Sequence, residues 1–260
     1  MAATVRSHID GAVARVTLDA PERLNAVSVA MWRELARTFS EIARDERVRC
    51  IVVRGAGGHF AAGADISEFG VVRHDEASGR RFHLEILGPA IEAVRQVPQP
   101  TIAAIEGYCV GGGLEIAVAC DLRIAAADAR LGAPVGKVGF PFALPELKPL
   151  LALVGPGVAS ELLLTGRLLS GAEAQAKGLV QRAVPRDDLD AAVEETVRAI
   201  VAGSPLAARQ NKAQIRLLLD QGLSFTPAQL DASFGFFAWE DYREGVAAFL
   251  AKRPPSFPGR

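Results

Sequence analysis

From residue 12 to residue 125 the chain alternates between two hydrophobic periods, and that alternation restricts it to few folds. Residues 12–18 alternate apolar and polar after an Asp10-Gly11 turn and read as a half-buried strand, whereas residues 50–53 form an unbroken apolar run and read as a fully buried one. Between them Trp32, Leu35, Phe39 and Ile42 recur at spacings of three and four, with Arg33, Glu34, Arg37 and Glu41 on the other face of the helix so defined. The pattern repeats with a helical stretch over 82–97, a break at Pro98 and Pro100, a strand over 101–105, a Gly-rich turn, a helix through 114–120 and a strand over 122–125. A parallel crossover needs about a dozen residues or more, which a helix supplies, so strands separated by helices pair in parallel and the class is α/β.

Past Pro145 the period becomes mainly helical, over 158–164, 189–201, 206–219 and 239–251, and only 179–184 reads as a strand. The Gly203-Ser204-Pro205 break divides an α/β core over 1–200 from a helical region over 201–260, and Pro254-Pro255 ends the last helix. Phe225, Phe234, Phe236, Phe237 and Trp239 give that region more aromatic surface than a thin layer hides alone; they either close it onto its own core or face a neighbouring subunit.

Half of the residues are apolar, enough for a substantial core, and the net charge of −1 is interspersed, so neither nucleic acid nor an anionic membrane is an expected partner. Residues 1–10 lack an apolar signal segment and no stretch of about eighteen uncharged apolar residues occurs, which predicts a cytoplasmic protein. Cys50, Cys109 and Cys120 have no C-x-x-C spacing and apolar neighbours, as expected of reduced, packed thiols.

Two Gly-rich turns, over 59–66 and 107–115, sit where a strand hands over to a helix. Ligands of open α/β sheets bind beyond the carboxyl ends of strands, and the first N–H groups of a helix have no intrahelical partner, so such turns can hold an oxyanion. A Gly triplet at 111–113 serves equally for a tight turn or close helix packing. No Lys-Ser/Thr pair follows it and G-x-G-x-x-G is not matched, which removes phosphate-loop and dinucleotide readings; G-x-S-x-G and H-E-x-x-H are absent too. His8, His59, His74 and His83 are scattered without metal-ligand spacing and read as surface or packing residues. Glu115 stands in the first turn of a helix otherwise made of Leu114, Ile116, Ala117, Val118, Ala119 and Cys120. It complements the helix dipole, or it is an acid raised toward neutrality by desolvation and ready for proton transfer.

Together these segments resemble the crotonase superfamily of enoyl-CoA hydratases and isomerases, from Arg23-Leu24-Asn25-Ala26 to the Phe249–Arg253 ending, with Leu164-Thr165-Gly166 and Ala176-Lys177-Gly178-Leu179-Val180 as later landmarks. The resemblance implies a spiral of ββα units, a C-terminal helical region used to form a trimer or hexamer, and acyl-CoA thioester substrates with no separate cofactor or metal. It makes Ala64 and Gly112 the oxyanion N–H donors and Glu115 the first hydratase glutamate. It also places Ala26, Ala62, Asp65, Ile66 and Gly111 along the substrate path and Lys252 near the CoA phosphates.

One position departs from that pattern. Where the second hydratase glutamate follows a proline, Pro134 is here followed by Val135. The expected chemistry is therefore hydration of a 2-enoyl-CoA by Glu115 alone, or enolate chemistry with less acid–base demand, such as isomerisation or decarboxylation; a non-catalytic acyl-CoA binder is the reading from another class. Glu146, after Pro145, reads foremost as a solvated dipole partner at a helix start, and only secondarily as a pocket acid.

Overall fold

The computed structural model describes residues 3–260. Its strands are β1 (Thr4–Asp10), β2 (Val13–Asp19), β3 (Cys50–Gly55), β4 (Thr101–Ile105), β5 (Tyr108–Val110), β6 (Leu122–Ala126), β7 (Arg130–Gly132), β8 (Leu169–Ser170) and β9 (Arg182–Val184). The main sheet runs β1-β2-β3-β4-β6-β9, antiparallel only between β1 and β2 and parallel thereafter; a smaller sheet, β5-β7-β8, stands beside it. Both faces of the main sheet are covered, which is why β3 is apolar over residues 50–53 and β4 over residues 102–105. Ile51, Val53, Ala103 and Ile105 belong to one core and the alternate residues Cys50, Val52, Ile102 and Ala104 to another.

The helices are α1 (Val29–Ile42), α2 (Phe69–Val72), α3 (Glu76–Arg81), α4 (Gly88–Gln96), α5 (Gly112–Ala119), α6 (Leu144–Thr165), α7 (Gly171–Ala176), α8 (Leu189–Ala202), α9 (Pro205–Asp220), α10 (Pro227–Ser233) and α11 (Glu240–Leu250). Helix α1 is capped by Ser28, whose side chain accepts from Met31 N–H, and buries Trp32, Leu35 and Phe39 in the larger core, the face its spacing predicts. Leu189, Ala192, Val193 and Val197 of α8 close the other face of the sheet. The three thiols are buried and unpaired, and burial pushes that of Cys50 up to about 12.

Several elements differ from the expectation. The edge strand β1 buries only Val5, so it carries no hydrophobic alternation to betray it, and β5, β7 and β8 are too short to show a period. Of the strand expected over 179–184, only Arg182–Val184 pairs with β6. Helix α6 begins well before 158, at Leu144, and Gly155 (φ +69°) breaks it; by length and composition alone it is apolar enough to cross a bilayer. Phe225, Phe234, Phe237 and Phe249 are exposed, so they do not close onto the core, and Phe236 stacks on Phe237 with ring centroids 4.3 Å apart.

Candidate active site

The two Gly-rich turns meet. Ala61 bridges Cys109 and Val27 bridges Ala64, both in parallel, so the first turn extends the small sheet as an added strand. In the Val27–Ala64 bridge, Val27 N–H donates to Gly63 O (2.7 Å) and Asp65 N–H donates to Val27 O (3.0 Å). A parallel bridge uses the groups on either side of the bridged residue, which turns the N–H of Ala64 itself the other way. No carbonyl accepts from Ala64 N–H among the described residues, nor from Gly112 N–H at the start of α5. A Cβ added at Gly112 would sit 3.3 Å from Ala64 N, so the two free donors are neighbours.

The glycines of the second turn have separate reasons. Gly111 adopts φ +52° and ψ −119°, which a side chain resists, and a Cβ at Gly113 would lie 2.3 Å from Ala61 O, so only glycine lets α5 approach the first turn so closely. Asn25, fully buried, fixes the approach from below: its Oδ1 accepts from Ala20 N–H, and its Nδ2 donates to Ala56 O and His59 O. Asp65 accepts from Ser67 N–H and Oγ and pairs with Arg23 at 2.6 Å. The Ser67 hydrogen bonds, ahead of the Arg23 guanidinium, hold its carboxyl below the usual range against the opposing effect of burial. Asp65 is thus a scaffold for the turn.

The donors open into a cleft whose walls are mainly apolar, with Glu115, Glu146, His83 and Arg73 as its ionisable groups. Ala62, Ala64, Ile66, Gly111, Gly112, Glu115 and Val135 line it together. Ala26 sits half-buried in the loop that receives Ala62 N–H through Leu24 O, and neither it, Asp65 nor exposed Lys252 is part of the cleft wall. Phe69, Phe140 and Phe142 supply apolar walls, and the Arg73 guanidinium lies 4.4 Å from the ring centres of both Phe69 and Phe140.

Glu115 projects into this cleft with Oε2 enclosed and without a hydrogen-bond partner. Burial first, and the neighbouring charge of Glu146 second, push its carboxyl up from 4.5 to about 8, against the opposing pull of Arg73. Its place at the N-terminus of α5 favours the anion by roughly 1 kcal/mol, up to about 2. A rise of that size corresponds to several kcal/mol at about 1.4 kcal/mol for each tenfold change, so desolvation outweighs the dipole and the acid is protonated near neutrality.

Two expectations fail here. Glu146 is not a solvated dipole partner: it is 5 % exposed, lines the same cleft as Glu115, and has its own Oε2 enclosed and unpartnered. His83 is not a surface or packing residue either, because it lines the cleft and its Nδ1 lies 2.9 Å from Glu146 Oε1. Neither is visible locally, since Glu146 follows Pro145 as many solvated first-turn glutamates do and His83 stands on another helix.

The sequence model of the enoyl-CoA hydratase/isomerase family matches residues 8–260. The chain is 36 % identical to the probable enoyl-CoA hydratase echA8 of Mycobacterium tuberculosis, over 99 % of this chain and 98 % of that one. It is 31 % identical to the peroxisomal Delta(3,5)-Delta(2,4)-dienoyl-CoA isomerase of Arabidopsis thaliana, over 97 % and 95 %. The crystal structure of an enoyl-CoA hydratase/carnithine racemase from Magnetospirillum magneticum superposes with a TM-score of 0.95 at 43 % identity, covering 98 % of this chain and 96 % of that one. The α/β architecture with its C-terminal helices is therefore the crotonase fold, and the chain belongs to the enoyl-CoA hydratase/isomerase family.

Proposed function

We propose that this protein is an enoyl-CoA hydratase in which the N–H groups of Ala64 and Gly112 hold the thioester oxygen and Glu115 serves as the acid–base group. The observation that carries the reading is the juxtaposition, in one cleft, of two unbonded N–H donors with a half-buried carboxyl whose enclosed Oε2 has no partner. As water adds to Cβ, the π electrons of the conjugated system move onto the thioester oxygen, and preorganised donors stabilise that oxyanion more than the ground-state carbonyl. A carboxyl protonated near neutrality then supplies Cα with its proton.

The same cleft supports isomerisation, favoured by Val135 at the place where family hydratases carry a second glutamate and by the likeness to a dienoyl-CoA isomerase. Simple binding without turnover is disfavoured, because an unpartnered buried carboxyl costs a few kcal/mol that a binder has no use for. CoA enters as part of the substrate, with Lys252 the proposed contact to its phosphates and no separate cofactor. The exposed aromatic surface of the C-terminal helices is the proposed contact of a cytoplasmic homotrimer or hexamer, for which sedimentation should give three or six times the 27.5 kDa chain mass; a monomer at micromolar concentration would remove that assignment.

Loss of enoyl absorbance from crotonyl-CoA measures the activity directly. Glu115→Gln should lower kcat by about a thousandfold while leaving CoA binding intact. An unchanged rate would take Glu115 out of the mechanism, and no wild-type turnover would direct attention to 3-enoyl-CoA isomerisation.

A further inference from the structure

Hydration by one carboxyl leaves a chemical gap: water must lose a proton as Cα gains one, and the residue at the second family position is a valine. The cleft contains a second carboxyl nonetheless. Glu146 enters from the first turn of α6, where Pro145 and the Ala143 carbonyl, which accepts from Glu146 N–H (3.2 Å) and Leu147 N–H (3.0 Å), fix the start of the helix. Both Glu115 and Glu146 border the cleft and also a smaller apolar cavity behind it, walled by Ile91, Leu114 and Leu150, and each keeps one enclosed oxygen free.

A local irregularity brings the partner of Glu146 into place. Between α3 and α4 the helix widens into a π turn over Phe82–Leu87, with Gly88 N–H donating to His83 O, five residues back. Such turns redirect side chains that a regular helix would aim elsewhere, and they recur at functional sites. With the proton on Nδ1, His83 donates to Glu146 Oε1 and leaves Oε2 as the only unbonded oxygen. The charged and titratable groups around Glu146 are then Glu115 from α5, His83 from the π turn and Arg73 after α2.

We infer that Glu146, oriented by His83, is the second acid–base carboxylate of this cleft, taking the part that Val135 cannot. The inference rests on the proposed acyl-CoA reading. His83 holds Glu146 through Oε1 and leaves Oε2 free to accept the proton of water, while Glu115, whose carboxyl burial raises to about 8, carries the proton for Cα. Water oxygen bonds to Cβ as its proton passes to Glu146 Oε2. The Cα–Cβ π pair shifts toward the carbonyl and the thioester oxygen takes the charge at Ala64 and Gly112 N–H. The re-forming carbonyl returns the pair to Cα, which takes the proton from Glu115. Transfer of one proton from Glu146 to Glu115 restores the starting state. His83 is a positioning residue, since it acts through Glu146.

Crotonyl-CoA hydration and α-proton exchange of butyryl-CoA in deuterium oxide, measured on the full chain, test this together. Glu146→Gln should lower kcat by about a hundredfold or more with KM, CoA binding and melting temperature nearly unchanged. His83→Leu should cost less, in kcat and not in KM, and His83→Asn, which keeps a side-chain donor, should recover part of the loss. Hydration within threefold of wild type in Glu146→Gln would overturn the inference while leaving the hydratase reading intact. A wild type that exchanges α-protons without hydrating would end the hydratase reading and, with it, the role given to Glu146. A wild type inert in both assays would overturn reading and inference together.

Discussion

The two ends of α5 carry ionisable groups in opposite conditions. At the carboxyl end, Asp121 accepts from Thr101 N–H and Oγ1 (both 2.8 Å) and pairs with Lys212 and Arg216 from α9 (both 2.7 Å); Lys212 also donates to Gln99 O. In that group Arg216 Nη1 and Gln99 Oε1 lack a partner, while every carboxylate oxygen has one. At the amino end, Glu115 and Glu146 have a single conventional partner between them, His83, and one free enclosed oxygen each. Buried ionisable groups are costly unless paired. The paired cluster joins the helical region to the sheet, whereas the unpaired carboxyls retain the capacity to exchange protons with something that enters the cleft. Degree of satisfaction, more than burial, separates architecture from chemistry in this chain.

The comparison is broken most sharply by removing one member at each end. Lys212→Met leaves Asp121 with Arg216 alone and should cost about 3 kcal/mol of stability in urea unfolding, with kcat of the folded protein unchanged, since loss of one partner of a buried pair typically costs about 3–5 kcal/mol. Glu115→Gln should do the reverse. The folded value of Glu115, about 8, lies above the unfolded value of 4.5, so its contribution to stability is fully present below pH 4.5 and is lost as pH rises toward 8. The glutamine carries no such dependence. Melting curves of wild type and Glu115→Gln should therefore nearly coincide at pH 4.5 and separate by pH 9, the variant melting higher; a variant that melts lower at pH 9 would mean that ionised Glu115 has partners in the folded state.

The same contrast explains what the sequence discloses. Helix α1, strands β3 and β4 and the two Gly-rich turns are legible because the information is local: a three-and-four spacing, an apolar run, glycines at a strand-to-helix junction. Strand β1 is not, because an edge strand with one buried residue has no alternating face. Glu115 stands out against its apolar neighbours. Glu146 does not, because its burial is decided by a π turn sixty residues earlier in the chain that no local pattern announces. Asn25 is equally quiet: its importance lies in backbone groups at Ala20, Ala56 and His59 that only the folded loops bring together.

The smallest expected effect is the most discriminating. Val135 is 8 % exposed, follows Pro134 in a short 3-10 turn and lines the cleft, so Val135→Glu restores a carboxyl at the customary family position. If the cleft lacks a second carboxylate, that substitution should accelerate crotonyl-CoA hydration. If Glu146 already fills the role, a third acid beside Glu115 and Glu146 adds like-charge repulsion and desolvation, and the rate should change by less than about threefold or fall. In the Glu146→Gln background the same substitution should recover about tenfold of the lost rate, because the pair is re-formed from another wall. Tenfold acceleration in the otherwise wild-type chain would show that the second position was vacant, and that Glu146, for all its burial beside Glu115, takes no proton from water.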